Sequence, residues 1–255
     1  MTKDGGLRIA TAGGALLVDP DAVDEDPRPV AKGVPGAELD TWFEPAFWAS
    51  RGELIDVTGG RGAAWFIASA SRQWALRHYR RGGFVARLST DGYVWAGEAR
   101  VRAFAEWRLL AELVRRGLPV PTPVAARYRR RGLLYRCDLI TLRIADARPL
   151  SALLTLGPLQ ESAWREVGAT VAKLHAAGAD HADLNAHNIL RDSAGTVSVI
   201  DFDRGRLRPP GPWRRANLSR LRRSLRKVTR DLPPDRFPAA AWDWLLAGYA
   251  SAPRR

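Results

Sequence analysis

The sequence of 255 residues contains one cysteine and only four lysines, and it has no long apolar run. A single cysteine, Cys137, excludes an internal disulfide and is typical of a reducing compartment. The first 21 residues lack the apolar stretch of a signal peptide, and no segment approaches the ~20 apolar residues of a transmembrane helix. These absences predict a cytoplasmic protein that is soluble or bound peripherally to a membrane.

Arginine is what the sequence has in excess. Lys and Arg together number 40 against 27 Asp and Glu, which gives a formal net charge of +13. Guanidinium groups are planar forks that suit phosphate and carboxylate, so this charge predicts an anionic partner: nucleic acid, anionic lipid or a phosphorylated small molecule. A G+C-rich genome would explain the scarcity of lysine, but it would not explain the net charge.

The spacing of apolar residues predicts an α+β chain with three parts. Residues 1–40, rich in Gly, Pro and Asp, are interpreted as a loosely structured arm. Residues 41–146 predict a β-rich N-lobe, in which a five-stranded antiparallel sheet carries one inserted helix between Gly97 and Arg116. The five predicted strands are "ELIDV", "AWFIAS", "RQWALRHYR", "PVAARY" and "LLYRCDLITLRI".

The third part, residues 147–255, predicts a small and mainly helical C-lobe. An amphipathic helix ends at Gly178 and precedes "HADLNAHNIL", which is residues 181–190. A short hairpin follows, from "NILRD" through a Ser-Ala-Gly turn to "TVSVIDFD". Two further helices are predicted over residues 213–230 and 238–250.

Three polar residues around this hairpin predict a metal and phosphate site. Asn188 stands at the start of the hairpin and Asp201 at its finish, and a hairpin returns its two ends to nearly the same place. An amide and a carboxylate oxygen suit Mg²⁺, which completes its shell with water and substrate phosphates. Asp183, just upstream, is placed to orient a hydroxyl group.

Two histidines in the same stretch raise the alternative of a zinc site. His181 and His187 have no cysteine nearby and no third histidine in register, which disfavours zinc. We interpret His181 instead as a structural residue that bonds the backbone near Asp201.

The pattern H-x-D-x-x-x-x-N followed by a metal aspartate resembles that of protein-kinase-like phosphotransferases. In such enzymes a glycine loop covers the phosphates, and here "GGRGAA" offers Gly60 and Gly62, although a plain hairpin is the alternative. A lysine on the third strand normally contacts phosphate. Arg77 stands in its place, with Glu106 as the expected partner and Glu112 as the alternative. A surface charge is the other interpretation of Arg77.

Several longer strings are similar to those of the Kdo (3-deoxy-D-manno-octulosonic acid) kinases in the lipopolysaccharide kinase family. They are "GRGAAWF", "LRHYRRGG", "RGLPVPTPVA", "HADLNAHNIL" and "IDFDRGRLR". The resemblance covers residue 40 to the C-terminus and implies a bilobal protein-kinase-like fold that uses ATP and Mg²⁺. It also implies phosphorylation of the 4-hydroxyl of Kdo on a lipid A precursor, at the cytoplasmic face of the Gram-negative inner membrane.

Two departures from general kinases affect the expected partners. The metal motif ends in Asp203 rather than glycine, and only 54 residues follow Asp201. We therefore expect no regulated activation segment and no protein substrate.

The predicted helix over residues 213–230 combines an apolar stripe with many cations. Its stripe is Leu218, Leu221, Leu225 and Val228, and the cations are expected to contact an anionic membrane surface or a phosphorylated lipid. A charged helix that contacts only water is the alternative.

Two other functions are compatible with parts of the sequence. A different sugar or small-molecule kinase, of heptose or aminoglycoside type, would share the motifs. A nucleic-acid-binding pseudokinase would share the charge, but it has no reason to keep Asp183, Asn188 and Asp201 together, so no specific nucleic acid is expected.

Overall fold

The computed structural model describes residues 5–21, 36–57, 64–69, 72–80 and 92–252. The chain forms two compact units. One consists of Met1–Glu112 with Thr122–Arg143, and the other of Leu113–Pro121 with Ile144–Arg255. The division between Arg143 and Ile144 falls three residues before the lobe boundary that the sequence predicts, between residues 146 and 147.

Among the residues that the structure describes, the first unit is built on one antiparallel sheet of eight strands. They are β1 Leu7–Thr11, β2 Gly14–Val18, β3 Leu54–Val57, β4 Ala64–Ser69, β5 Arg72–His78, β6 Tyr93–Val94, β7 Pro123–Arg131 and β8 Leu134–Leu142. The strand order is β1-β2-β7-β8-β5-β4-β3, and β6 pairs with β8.

Eight strands correct the prediction of five. The five predicted segments form β3, β4, β5, β7 and β8, and the additional strands are β1, β2 and β6. The hairpin of β1 and β2 lies in residues that we interpreted as a loose arm, and Ala15 to Val18 of β2 are buried. This hairpin exists because β2 pairs with β7, more than a hundred residues away in sequence, and local composition does not reveal such a partner.

In the described part of this unit, three helices pack on the sheet: α1 Gly36–Thr41, α2 Pro45–Ser50 and α3 Arg102–Arg115. Trp42, Trp48 and Trp74 form a buried cluster between the two short helices and β5, and the ring centroids of Trp48 and Trp74 are 5.6 Å apart. On α3, Phe104, Trp107 and Leu110 are buried. The face of α3 that carries Glu106 is thereby fixed against the sheet.

The second unit contains four helices and five short strands within the described residues. The helices are α4 Leu150–Leu156, α5 Glu161–Ala176, α6 Trp213–Val228 and α7 Ala239–Ser251. The strands are β9 Arg148–Pro149, β10 Ala179–Asp180, β11 Ile189–Arg191, β12 Val197–Val199 and β13 Arg206–Leu207. Strands β12, β11 and β9 form one sheet, and β10 pairs with β13. None of the helices described has the length and apolarity needed to cross a membrane.

Two glycines allow α5 and α7 to approach closely. A Cβ added at Gly168 on α5 would lie 1.9 Å from the carbonyl oxygen of Leu245, and one at Gly248 on α7 would lie 2.0 Å from that of Arg165. Backbone atoms cannot move aside as a flexible side chain can. The two helices can therefore pack at this distance only with glycine at both positions.

We expect Gly168→Ala to lower the free energy of unfolding by about 1–3 kcal/mol, because the added methyl group forces the helices apart. The intrinsic helix propensity of alanine opposes this by ~1 kcal/mol, so a loss of stability reports packing alone. Denaturant unfolding measures it, with Gly13→Ala as control, since a Cβ there meets nothing within 4 Å. An unchanged or more stable Gly168→Ala protein would contradict the close approach.

Candidate active site

The loop that carries the predicted catalytic residues begins where α5 ends. Gly178 has φ +79°, a left-handed conformation that glycine adopts readily, and a Cβ there would lie 2.7 Å from the Arg208 carbonyl oxygen. The chain then forms β10, whose pairing with β13 fixes the start of the loop. The loop ends at Asn188, where β11 begins.

His181 is a buried structural residue. Its Nε2 lies 2.9 Å from the Ile200 carbonyl oxygen, and its Nδ1 accepts a hydrogen bond from the Asp183 backbone N–H at 3.2 Å. Burial lowers the pKa of the imidazole, which keeps it neutral with the proton on Nε2. Both ring nitrogens are thus occupied by the backbone, which removes His181 as a zinc ligand and matches its predicted role beside Asp201.

The hairpin of β11 and β12 brings Asn188 next to the residue that precedes Asp201. The Asn188 carbonyl accepts a hydrogen bond from the Ile200 N–H at 2.9 Å, and Ile189 is paired with Val199. Asn188 is 8% exposed, and its side-chain Nδ2 donates to the Asp183 carbonyl at 3.0 Å. Its Oδ1 is therefore the atom that could bind a cation.

Asp201 adopts an unusual backbone conformation, with φ 63°. Among residues other than glycine, asparagine and aspartate tolerate this left-handed region best, and such conformations concentrate at functional sites. The conformation follows directly after the Ile200 hydrogen bond to Asn188, at the point where the chain leaves the hairpin.

Asp183 presents its carboxylate to solvent, with 63% of the side chain exposed. Asn185 Nδ2 donates to both the Asp183 carbonyl at 3.0 Å and its Oδ2 at 3.1 Å. The backbone of Asp183 is held from two sides, by His181 and Asn188, while its carboxylate stays accessible. This arrangement suits a residue that must meet a substrate hydroxyl group.

Sequence reasoning missed Asn217, which holds the loop from α6. Its Oδ1 accepts the His181 backbone N–H at 3.2 Å, and its Nδ2 donates to Asp180 at 3.2 Å. One face of α6 buries Trp213, Asn217, Leu221 and Leu225, at a spacing of four. The predicted stripe instead included Leu218 and Val228, which are only partly buried. The sequence does carry one signal for Asn217: it stands at the helical spacing of the buried apolar residues Trp213, Leu221 and Leu225, which indicates a buried polar side chain.

His175, beneath the loop on α5, should make the protein sensitive to acid. It is 2% exposed, its Nε2 lies 3.4 Å from Asn217 Oδ1, and burial lowers its pKa to about 4. The unfolded chain, with an ordinary pKa near 6.5, binds a proton that the folded protein does not. The burial of neutral His175 therefore stabilises the folded protein fully above pH 6.5, and this contribution to the free energy of unfolding is lost as the pH falls toward 4.

We expect this titration to remove about 2 kcal/mol from the free energy of unfolding between pH 7.5 and pH 5. Denaturant unfolding at the two pH values measures the loss. His175→Gln should reduce the dependence without removing it, because burial also lowers the pKa of His181, whereas exposed His187→Gln should keep it in full. Equal pH dependence in His175→Gln and the wild type would show that another group is responsible.

In the first unit, the structure brings Arg77 and Glu106 together. The Arg77 guanidinium forms an ion pair with the Glu106 carboxylate, which also accepts a hydrogen bond from the Tyr79 hydroxyl. Arg77 Nη2 donates to that hydroxyl at 2.9 Å. Arg77 and Tyr79 are two residues apart in an extended chain and so share one face. Tyr79 is a further member of the cluster that the sequence did not indicate. Gly60 and Gly62 lie outside the described residues.

Mixed α/β architecture with antiparallel sheets, together with this loop and hairpin, is consistent with a kinase-like fold. The sequence profile of the Lipopolysaccharide kinase (Kdo/WaaP) family matches residues 45–249, and the chain belongs to this family. Membership confirms the resemblance seen in the sequence. It makes the protein a phosphotransferase that acts on a hydroxyl group, in lipopolysaccharide biosynthesis.

Curated relatives carry a more particular name. A "3-deoxy-D-manno-octulosonic acid kinase" of Xylella fastidiosa (strain 9a5c) is 48% identical over 187 residues, which cover 73% of this chain and 74% of that protein. One of the same name from Xanthomonas campestris pv. campestris (strain B100) is 49% identical over 187 residues, with the same shares of the two chains.

Proposed function

We propose that this protein transfers the γ-phosphate of ATP to the 4-hydroxyl of Kdo on a lipid A precursor. The observation that carries the proposal is the loop and hairpin of the second unit, which hold Asp183, Asn188 and Asp201 in one short stretch. The relatives support Kdo as the acceptor, because they are named for it and their sequences are about half identical to this chain.

Asp183 is the proposed base. Its exposed carboxylate accepts the proton of the acceptor hydroxyl as the oxygen attacks phosphorus, and such general base catalysis contributes roughly 10²–10⁴ in rate. Asn185 and Asn188 keep the loop in place during this transfer, because both donate to the Asp183 carbonyl oxygen.

Asn188 and Asp201 are proposed to hold Mg²⁺. The residues present fit the ion. The Asn188 amide nitrogen donates to the Asp183 carbonyl, so the amide oxygen Oδ1 is the atom that would bind the metal, and Asp201 would supply a carboxylate. When bound, Mg²⁺ neutralises charge on the transferring phosphate. In the first unit, Arg77 is proposed to contact phosphate, with Glu106 and Tyr79 holding its guanidinium. Gly60 and Gly62 stay predicted phosphate contacts.

The exposed face of α6 supports an anionic membrane as the second partner. Exposed cations on this helix are Arg215, Arg220, Arg222, Arg223, Arg226 and Lys227. A cation near an anionic bilayer contributes roughly 1 kcal/mol to binding, so a few are enough for peripheral attachment. We place the protein at the cytoplasmic face of the inner membrane, where a lipid A precursor is available, with no protein or specific nucleic acid as substrate.

Transfer of label from γ-labelled Mg·ATP to Kdo-bearing lipid A precursor tests the proposal. The expected product carries one phosphate on the Kdo 4-hydroxyl, located by NMR. A heptose-bearing lipid and an aminoglycoside serve as competing acceptors. If ATP binds and label moves to one of these rather than to Kdo, the kinase activity stands and the proposed acceptor is wrong.

A further inference from the structure

One arginine of α6 lies beside the proposed base. The Arg220 Nη1 atom is 3.7 Å from Asp183 Oδ1, and the Arg220 side chain is 46% exposed. This distance is too long for a hydrogen bond. Within the part of the chain that the structure describes, the guanidinium donates no hydrogen bond, so its planar fork is available to a ligand.

Hydrogen-bonded anchors on both sides fix this position of Arg220 relative to the loop. One turn before it, Asn217 accepts the His181 N–H at 3.2 Å, and one turn after it, the Ser224 hydroxyl accepts the Ala186 N–H at 3.1 Å. Leu221, the next residue along the chain, is fully buried. Because these contacts hold the loop, the exposed pair of Arg220 and Asp183 is not required for structure.

The distance to Asp183 restricts which part of a substrate Arg220 can reach. A hydroxyl group that gives its proton to Asp183 must come within about 3 Å of the carboxylate. The guanidinium then lies within about 7 Å of the reacting oxygen, which is a separation found within one sugar ring. Guanidinium groups bind carboxylates through two parallel hydrogen bonds, and Lys cannot reproduce that geometry.

We propose that Arg220 forms an anion-binding subsite that recognises the carboxylate of the acceptor sugar and selects acidic over neutral sugars. The inference rests on the proposed function, since it takes Asp183 as the base. The relatives' printed substrate is a sugar acid, which has such a carboxylate. Arg220 is accordingly a specificity-determining residue, and a neutral heptose offers it no anionic group.

Two acceptors and three variants test this subsite. The acceptors are Kdo-bearing lipid A precursor and the same compound methyl-esterified on the Kdo carboxyl group. The wild type is expected to prefer the free acid by about 10–100-fold in kcat/KM, mainly through KM. Arg220→Gln should abolish that preference without changing the KM for ATP, and Arg220→Lys should restore it only in part. Arg165→Gln, which removes the same charge from an exposed position on α5, should keep it.

Three results would overturn the subsite, and they separate it from the proposed function. Equal use of acid and ester by the wild type leaves the Kdo kinase in place without a carboxylate contact. Equal losses on both acceptors in Arg220→Gln mean that Arg220 acts through Asp183 or the fold. Transfer by the wild type to neither acceptor, with ATP bound, removes the proposed function and the subsite together.

Discussion

Asp183→Asn is expected to lower phosphate transfer by a factor of roughly 10²–10⁴ while the affinity for Mg·ATP stays unchanged. An amide cannot accept the hydroxyl proton, so the chemical step loses its proposed base. The contacts that shape the loop survive the change, because Asn188 and Asn185 both donate to the Asp183 backbone carbonyl. The Asn185 bond to the side chain also needs only an oxygen, which asparagine retains.

Single-turnover transfer and nucleotide binding by calorimetry, measured on the same preparations, separate catalysis from binding. Asp192→Asn is a matched control, because this carboxylate in the hairpin turn accepts the Thr196 N–H at 2.7 Å and an amide oxygen can do the same. The control should keep full transfer. Turnover retained by Asp183→Asn would remove the residue from the mechanism.

Asp201→Asn is expected to raise the dissociation constant for Mg·ATP by about 100-fold or more and to abolish transfer. Changing a partner that only orients a metal ligand already costs 10–100-fold in metal affinity, and loss of a charged ligand costs at least as much. Asparagine is a sharper test than alanine here. With φ 63° at this position, alanine would add backbone strain to the lost charge, whereas asparagine tolerates the conformation.

Asp203→Asn provides the comparison two residues along, with the same change of charge in the same motif. We expect it to bind Mg·ATP as the wild type does. Calorimetric titration with Mg·ATP, and with ATP in the presence of a chelator, shows whether the metal is involved. Unchanged Mg·ATP affinity in Asp201→Asn would contradict the assignment of Asp201 as a ligand.

The parts of the candidate site whose local structure the sequence predicted are those fixed at short range. Asn188 and Asp201 stand thirteen positions apart, and alternation with a turn signal was enough to predict the hairpin between them, in which Ile189 pairs with Val199. Their shared role as metal ligands stays a prediction. The pairing of Arg77 with Glu106 spans a longer distance, and it was expected only because kinases contain a similar ion pair.

The parts that the sequence did not predict depend on distant partners. Strand β2 pairs with β7, and nothing near residues 14–18 indicates this. Asn217 acts through His181 and Asp180 on a different segment, and its neighbours suggested a charged surface helix. Tyr79 joins the Arg77 cluster because Glu106 approaches from α3. In each case the physical cause is a tertiary contact rather than a local preference.

The left-handed backbone at Asp201 also bears on how inactive copies of this gene would evolve. Codons for aspartate are one base change from those for asparagine and glycine, the residues that adopt positive φ with least strain. On the metal-binding role proposed for Asp201, a single mutation ends phosphate transfer without adding backbone strain at this position. On that proposed role, a duplicated gene in this family can lose catalysis in one step and still encode a folded protein.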